Sequence, residues 1–162
     1  FKQRLLYVPS SARLEETYLK TNQQEAAITI SLVSIWLEKI KANKLNWSIG
    51  VITPFRAQIA AITYLAHLQN VDLSHVTIDT VERYQGGARD IIIMSSALNS
   101  LRALSRITCE NSDGVDRKLN VAVTRARQQF ILIGSEEILQ TAAAYKSLIG
   151  MCGRLENIFV DA

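Results

Sequence analysis

An arginine beside an apolar helical stripe is the feature of this sequence best suited to chemistry. Residues 119–127 read LNVAVTRAR. Apolar side chains recur in this run at the spacing of one buried helix face, namely at Leu119, Ala122, Val123 and Ala126. Arg125 falls on the flank of that stripe, so its stem is anchored while its guanidinium can donate to a phosphoryl group. The pattern is equally typical of a basic helix end that interacts favourably with the helix dipole.

A second segment with candidate binding residues lies near position 50. Residues 48–53 are apolar at almost every position, which predicts a strand covered on both faces. Thr53 and Pro54 then form a turn, and the helix that follows carries Arg56 close to its start. These residues therefore lie where a parallel strand ends, which is where such sheets bind ligands.

A third segment combines a strand end with glycine. Residues 76–80 alternate in polarity and predict a half-buried strand that ends at Thr80. The polar turn after it contains Gln85 and Gly86, and the next strand is predicted over 90–97. Glycine in this turn gives the backbone freedom to approach a ligand closely.

The remaining chain predicts an α/β fold with a parallel sheet and helices on both faces, because strands alternate with helices. Further strands are predicted at 5–8 and 129–134, and Asn22 is predicted to cap a helix that extends to about residue 44, with Glu25 completing a capping box. Residues 99–116 are predicted to be a long loop, and one or two helices are expected over 136–148.

In this order and spacing, the three segments resemble motifs of the C-terminal, second RecA-like domain of superfamily 1 helicases. The resemblance covers residues 5–148 and is strongest to the 5′-to-3′ branch that includes the nonsense-mediated-decay helicases and the Okazaki-fragment nuclease-helicases. It implies that residues 1–162 are one motor domain of a longer, intracellular protein, cytoplasmic or nuclear. A phosphate-binding loop and an Asp-Glu strand, which hold ATP and magnesium in such enzymes, do not occur in this sequence.

The resemblance also assigns roles to individual residues. Arg125 would be the catalytic arginine that contacts the γ-phosphate. Arg56, Gln85 and Gly86 would contribute to the nucleotide site, and no metal ligand is expected from this chain. Thr53, Pro54 and Thr80 would touch the backbone of single-stranded nucleic acid. ATP with Mg²⁺ would be held mainly by the first RecA-like domain of the same protein, which is the expected intramolecular partner.

One departure from the family keeps a second function open. The family pattern after the third strand reads Gln-Gly-Arg-Glu-Lys-Asp, whereas residues 85–90 read QGGARD. Ala88 cannot make the sugar contact of the family's glutamate, and Glu82 is a candidate to replace it. The alternative is therefore a RecA-like domain that binds nucleic acid or protein without working as a motor.

Composition and charge are compatible with either function. The 162 residues carry a net charge of +3, are 48% hydrophobic and contain only two prolines, as expected for a globular domain. Cys109, Cys152, His67 and His75 lack the spacing of a metal or redox site. Arg102 and Arg106 lie in the predicted loop together with acidic residues, which favours a solvated loop over a nucleic-acid contact.

Overall fold

The computed structural model describes residues 2–84, 87–108, 114–156 and 158. Its strands are β1 (Leu5–Ser10), β2 (Ile49–Thr53), β3 (Val76–Thr80), β4 (Arg89–Ser95), β5 (Ala126–Ser135) and β6 (Gly153–Arg154). Its helices are α1 (Gln23–Ala42), α2 (Arg56–Leu68), α3 (Leu101–Ile107), α4 (Arg117–Thr124), α5 (Glu136–Leu139) and α6 (Ala143–Met151). A single turn of 3₁₀ helix covers Leu14–Glu16 between β1 and α1.

The strands form one sheet in the order β3-β2-β4-β5-β1-β6, and every pairing between described strands is parallel. Parallel neighbours cannot be joined by hairpins, so the helices cross from one end of the sheet to the other. The carboxyl ends of the strands therefore share one edge of the sheet, and the amino ends share the opposite edge. This arrangement confirms the predicted α/β fold with a RecA-like parallel sheet.

Alternate residues of β4 pack against different helices. Ile91 and Ile93 belong to a core with α1 and α2, whereas Ile92 and Met94 belong to a core with the other four helices. The four β4 side chains are at most 1% exposed. A strand buried on both faces reads as a continuous apolar run, as residues 91–94 do in this sequence.

The start of α1 only partly agrees with the predicted capping box. The Asn22 side chain accepts a hydrogen bond from the Glu25 N–H at 3.0 Å, as an N-cap should. The Glu25 carboxylate, however, does not return to the Asn22 N–H, which instead donates to Gln58 Oε1 at 2.9 Å. Glu25 points into the fold, where β1 and β4 offer it other partners.

The predicted loop over 99–116 was wrong in its first part, because α3 occupies Leu101–Ile107. Ser100 caps this helix by accepting from the Ala103 N–H at 3.1 Å, and Leu104 and Ile107 are buried against the sheet. Two buried side chains one turn apart are enough to hold a short helix in place through tertiary packing. The residues from 109 to 113, including Cys109, lie outside the described residues.

The boundary between α4 and β5 also differs from the expectation. The helix ends at Thr124 and the strand begins at Ala126, although the sequence pattern extended the helix to about residue 127. Ala126 pairs with Arg89 of β4, and this non-local pairing overrides the local helical pattern. Arg125 is thereby the single residue between the two elements.

Both His67 and His75 are exposed, and Cys152 is a free, half-buried thiol. Among the described residues, no helix has the length and apolar character needed to cross a bilayer.

Gly50 of β2 provides a test of the packing between the sheet and the segment after β3. A Cβ atom at Gly50 would overlap the Tyr84 hydroxyl and would lie 2.9 Å from Cδ1 of Ile92. We expect Gly50→Ala to lower the free energy of unfolding by about 1–3 kcal/mol, as overpacking of a core does. Gly150→Ala is the matched control, since no atom lies within 4 Å of its Cβ position in α6 and alanine favours a helix. Urea unfolding of both variants checks this prediction, and equal stability of the two would contradict it.

Candidate functional site

The backbone of Arg125 is fixed from both sides. Its N–H donates to the carbonyls of Val121 and Ala122, at 3.2 and 3.3 Å, and so closes the last turn of α4. Its carbonyl accepts from the N–H of Arg89, at 2.8 Å, at the beginning of β4. The helix in turn starts at Asp116, whose side chain caps it by accepting from the Leu119 N–H at 3.0 Å. The position of Arg125 is therefore set by a capped helix and a central strand.

The side chain of Arg125 has a hydrogen-bond donor, Nε, that lacks an acceptor among the described residues. The residue is half-buried, and its Nε atom is buried with no hydrogen-bond partner among the described residues. Leaving a buried donor unpaired costs about 1–3 kcal/mol, so an acceptor from water, a ligand or another part of the protein would stabilise it. The chemistry of this donor fits a phosphate oxygen, since the planar guanidinium pairs with phosphates in a bidentate manner.

Three more arginines lie at the same amino edge of the sheet. Arg89 lies 5.6 Å from the ring centroid of Tyr84, and Arg4 donates to the Ala126 carbonyl at 3.4 Å. Arg127 pairs with Asp90, although the closest nitrogen–oxygen distance is 3.9 Å. This edge is therefore rich in cations, which favours an anionic ligand.

Among the described residues, no three His, Cys, Asp or Glu side chains are grouped so that they could hold a metal ion. The donors at the amino edge are guanidinium groups, which bind phosphate oxygens but not Mg²⁺. The arginines of this edge thus fit the phosphate part of a magnesium–nucleotide complex.

The segment between β3 and β4 is only partly described. Gln85 and Gly86, both predicted nucleotide-site residues, lie outside the described residues. Glu82 is bound to α4, because its Oε1 lies 2.7 Å from Nζ of Lys118. The hydrogen bond from Lys118 lowers the pKa of Glu82, which therefore carries its charge at neutral pH. Whether Glu82 also replaces the family's sugar contact stays a prediction.

The predicted nucleic-acid residues lie at the carboxyl edge, opposite Arg125. Thr53 pairs with Thr80 at the ends of β2 and β3, and Pro54 follows directly. Thr53 is fully buried, and its hydroxyl has no hydrogen-bond partner in the described part of the chain. Thr80 is 6% exposed, and Pro54 is partly exposed. The accessible surface of this turn is therefore provided by Pro54 and its neighbours more than by the two hydroxyl groups.

Arg56 also lies at the carboxyl edge, as the exposed first residue of α2. Residues Arg89–Ser95 of β4 separate the two edges, which are about 20 Å apart at roughly 3.3 Å per residue. The structure consequently brings Arg56 together with Thr53 and Pro54, and does not bring it together with Arg125. The described residues among those predicted for the site lie in two groups, on opposite edges of one sheet.

The most connected buried polar group at the carboxyl edge is Glu25. Its carboxylate accepts from the hydroxyls of Ser95 (2.8 Å), Ser96 (3.2 Å) and Ser10 (3.0 Å), and from the Ala97 N–H at 2.7 Å. The residue is fully buried, and burial raises its pKa to about 7 although the four donors favour the charged form. Glu25 thus links the start of α1 to the ends of β1 and β4.

A second part of this network surrounds Asn22. Gln58 of α2 donates from Nε2 to the Asn22 carbonyl at 3.0 Å and to Ser95 Oγ at 3.1 Å. Asn99 accepts from Asn22 Nδ2 at 2.8 Å and donates to the Thr21 carbonyl at 2.7 Å. Sequence reasoning missed the roles of Gln58 and Asn99, since no local pattern shows that residues so far apart in the chain would meet.

Comparison with known proteins gives a consistent set of matches. Residues 5–137 match a family described as an AAA domain. The DNA polymerase alpha-associated DNA helicase A of Saccharomyces cerevisiae is 34% identical over 127 residues, covering 78% of this chain and 17% of that protein. The DNA replication ATP-dependent helicase/nuclease DNA2 of Bos taurus is 32% identical over 161 residues, with coverages of 95% and 14%.

A third relative is named as a regulator of nonsense transcripts. Regulator of nonsense transcripts 1 of Dictyostelium discoideum is 33% identical over 147 residues, covering 86% of this chain and 10% of that protein. The chain therefore spans less than a fifth of the length of each of these three relatives. The family match over residues 5–137 runs from β1 through β5, so it contains both candidate edges.

The raised pKa of Glu25 predicts how stability depends on pH. Between the ordinary glutamate pKa of 4.5 and the folded-state pKa of about 7, the native chain holds a proton that the unfolded chain loses. This contribution to stability is complete below pH 4.5 and is lost as pH rises through about 7, a change of about 3 kcal/mol at about 1.4 kcal/mol per pH unit.

Glu25→Gln removes the titrating group while keeping its size and an acceptor oxygen. Urea unfolding of the wild type and the variant at pH 5 and pH 8 isolates this contribution, because all other titrating groups are shared. We expect the wild type to lose more stability than Glu25→Gln between these pH values. An identical pH dependence in the two proteins would contradict the assignment.

Proposed function

Since the chain belongs to the superfamily 1 helicases, in the group of the nonsense-mediated-decay and Okazaki-fragment enzymes, we propose that it is the second RecA-like motor domain of an ATP-dependent helicase. In this proposal residues 1–162 face a first RecA-like domain of the same protein across a nucleotide cleft. The first domain holds ATP and Mg²⁺, and this domain completes the site.

The observation that carries this proposal is the buried, unpartnered Nε of Arg125 on a fixed backbone. An arginine finger must have its donors in position before the transition state forms, since reorientation during the reaction would lower its effect. Charge spreads over the phosphoryl oxygens in the transition state, and the guanidinium of Arg125 would neutralise part of it. Known fingers contribute roughly 10³–10⁵ in rate.

The other residues of the amino edge would support binding more than chemistry. Arg89 adds positive charge near the phosphates, and its contacts with Tyr84 and the Ala88 carbonyl hold its side chain in place. Gln85 and Gly86 stay proposed nucleotide contacts. The bound Mg²⁺ would supply further charge neutralisation through ligands of the first domain.

Single-stranded nucleic acid is the proposed partner at the carboxyl edge. Thr53, Pro54 and Thr80 form neighbouring strand ends, where backbone groups are available for phosphates. Phosphate contacts carry no sequence information, so the proposed track would bind strands with little base preference. ATP-driven closure and opening of the two domains would move this track along the strand.

Substitution of Arg125 in the full-length helicase tests the proposed finger. We expect Arg125→Ala to reduce kcat for ATP by at least about 10³ without loss of folding. Arg125→Lys should not restore activity, because an ammonium group lacks the planar fork of donors. The readout is steady-state ATP hydrolysis at saturating single-stranded nucleic acid, with circular dichroism as the check on folding.

Arg127→Ala is the matched control for this experiment. Its side chain is 58% exposed and its only described ion pair is the long contact to Asp90, so we expect turnover close to that of the wild type. Normal turnover in folded Arg125→Ala would refute the finger. It would favour the alternative function, a RecA-like module that binds nucleic acid or protein without hydrolysis.

The proposal also predicts the behaviour of the isolated 162-residue chain. It should hydrolyse no ATP above background, with or without single-stranded DNA or RNA, because the phosphate-binding loop and magnesium carboxylates would come from the first domain. A phosphate-release assay measures this directly. If nucleic acid stimulates ATP turnover by the purified chain, the proposal that the first domain supplies these groups is wrong.

A further inference from the structure

A concave pocket lies beside α3 at the carboxyl edge of the sheet. Its volume is about 220 Å³, and its walls come from α3, from the segment after β4 and from the turn that precedes α1. The described lining residues include three cations and no carboxylate; the cations are Lys20, Arg102 and Arg106. A pocket with this charge fits an anion.

The two arginines are held on one face of α3. Arg102 and Arg106 are four residues apart, so their side chains are neighbours on the helix surface. Both are exposed, and neither forms an ion pair with a described residue. Burial of Leu104 and Ile107 fixes the opposite face of the helix. The sequence analysis expected these arginines in a solvated loop. They are exposed to solvent, but the prediction of a loop was wrong, because they lie on a packed helix.

The turn opposite α3 adds polar and aromatic groups. The hydroxyl of Thr17 is buried and has no partner among the described residues, and Thr17 lines the pocket. The next residue, Tyr18, is 95% exposed. Lys20 has a left-handed backbone with φ of 56°, which ends the turn beside the pocket. An exposed aromatic ring next to clustered cations is the combination that proteins use for single-stranded nucleic acid.

We propose that this pocket is a phosphate subsite for single-stranded nucleic acid, with Arg102 and Arg106 binding backbone phosphates and Tyr18 stacking on a base. The inference rests on the proposed function, because it extends the track at Thr53 and Pro54. Phe55 supplies the continuity, since it follows Pro54 directly and lines the pocket. The strand would pass from the end of β2 across α3 to the turn that carries Tyr18.

The test measures binding of the 162-residue chain to a fluorescein-labelled 20-nucleotide strand of uniform base by fluorescence anisotropy, over a range of salt concentrations. The variant is Arg102→Gln with Arg106→Gln. The control is Lys41→Gln with Lys146→Gln, which removes the same charge from exposed positions on α1 and α6. Thermal unfolding of each protein confirms that it is folded.

We expect the double substitution of Arg102 and Arg106 to weaken binding at least about tenfold relative to the double lysine control. The slope of log K against log salt should become shallower by about 1.4, which is the value for two lost contacts with a single strand. The double change to lysine should restore most of the slope, because phosphate contacts need charge more than shape.

Tyr18 is tested separately because stacking carries no charge. Tyr18→Ala should weaken binding about tenfold or more, given about 1–3 kcal/mol per stacked base, without changing the salt slope. Tyr18→Phe should bind as the wild type does. A salt slope that changes with Tyr18→Ala would contradict the stacking role.

Other outcomes identify other ligands or overturn the site. Inorganic phosphate that displaces the strand at low millimolar concentration, with no dependence on strand length, would assign the pocket to free phosphate. Polyglutamate that binds as tightly as the strand would assign it to an acidic protein, and either result overturns the proposal. If the double arginine variant binds the strand as tightly as the double lysine control does, this inference fails while the proposed function stands. If the wild-type chain binds no strand even at low salt, the track at Thr53 and Pro54 fails as well.

Discussion

The buried Glu25 carboxylate is the interaction on which the carboxyl edge of this domain depends. It joins one helix and two strand ends that are far apart in sequence, through three serine hydroxyls and the Ala97 N–H. Ala97 has a left-handed φ of 50°, and this contact helps to hold that conformation. Loss of the whole Glu25 side chain would leave several buried donors without an acceptor, which costs more than a single hydrogen bond contributes. The contact with Glu25 therefore fixes Ala97, where the segment leading to Asn99 and α3 begins.

The sheet between the two edges acts as a rigid spacer. The amino edge carries Arg125 between α4 and β5, and the carboxyl edge carries Thr53, Pro54 and the pocket beside α3. Both faces of β4 and β5 are packed, so the two edges move together as one body. A force that nucleotide binding applies at one edge would thus reach a nucleic-acid strand at the other edge without internal rearrangement. This separation suits a domain that converts closure of a cleft into movement along a strand.

The sequence predicted those features that depend on residues close together in the chain. The strands were found because buried parallel strands are apolar throughout, and the Asn22 cap was found because its partner is three residues away. The destination of the Glu25 carboxylate was missed, because its serine partners meet it only in the folded sheet. The separation of Arg56 from Arg125 was missed for a similar reason. An arginine that precedes its strand lies at the amino edge of the sheet, and one that follows its strand lies at the carboxyl edge. The end of α4 was also misplaced, because Ala126 pairs with Arg89 in the sheet and the helix therefore ends earlier than its apolar stripe indicated.

The central claim is that Arg125 acts on a nucleotide held by another domain. The most direct test is a crystal structure of the full-length helicase with a planar analogue of the transferred phosphoryl group, Mg²⁺ and a single strand. The account predicts that the Arg125 guanidinium lies at about 2.7–2.9 Å from the equatorial oxygens or fluorides of the analogue, with its Nε–H donor now paired. A closed complex in which Arg125 bonds only to protein groups, while another arginine contacts the analogue, would contradict it.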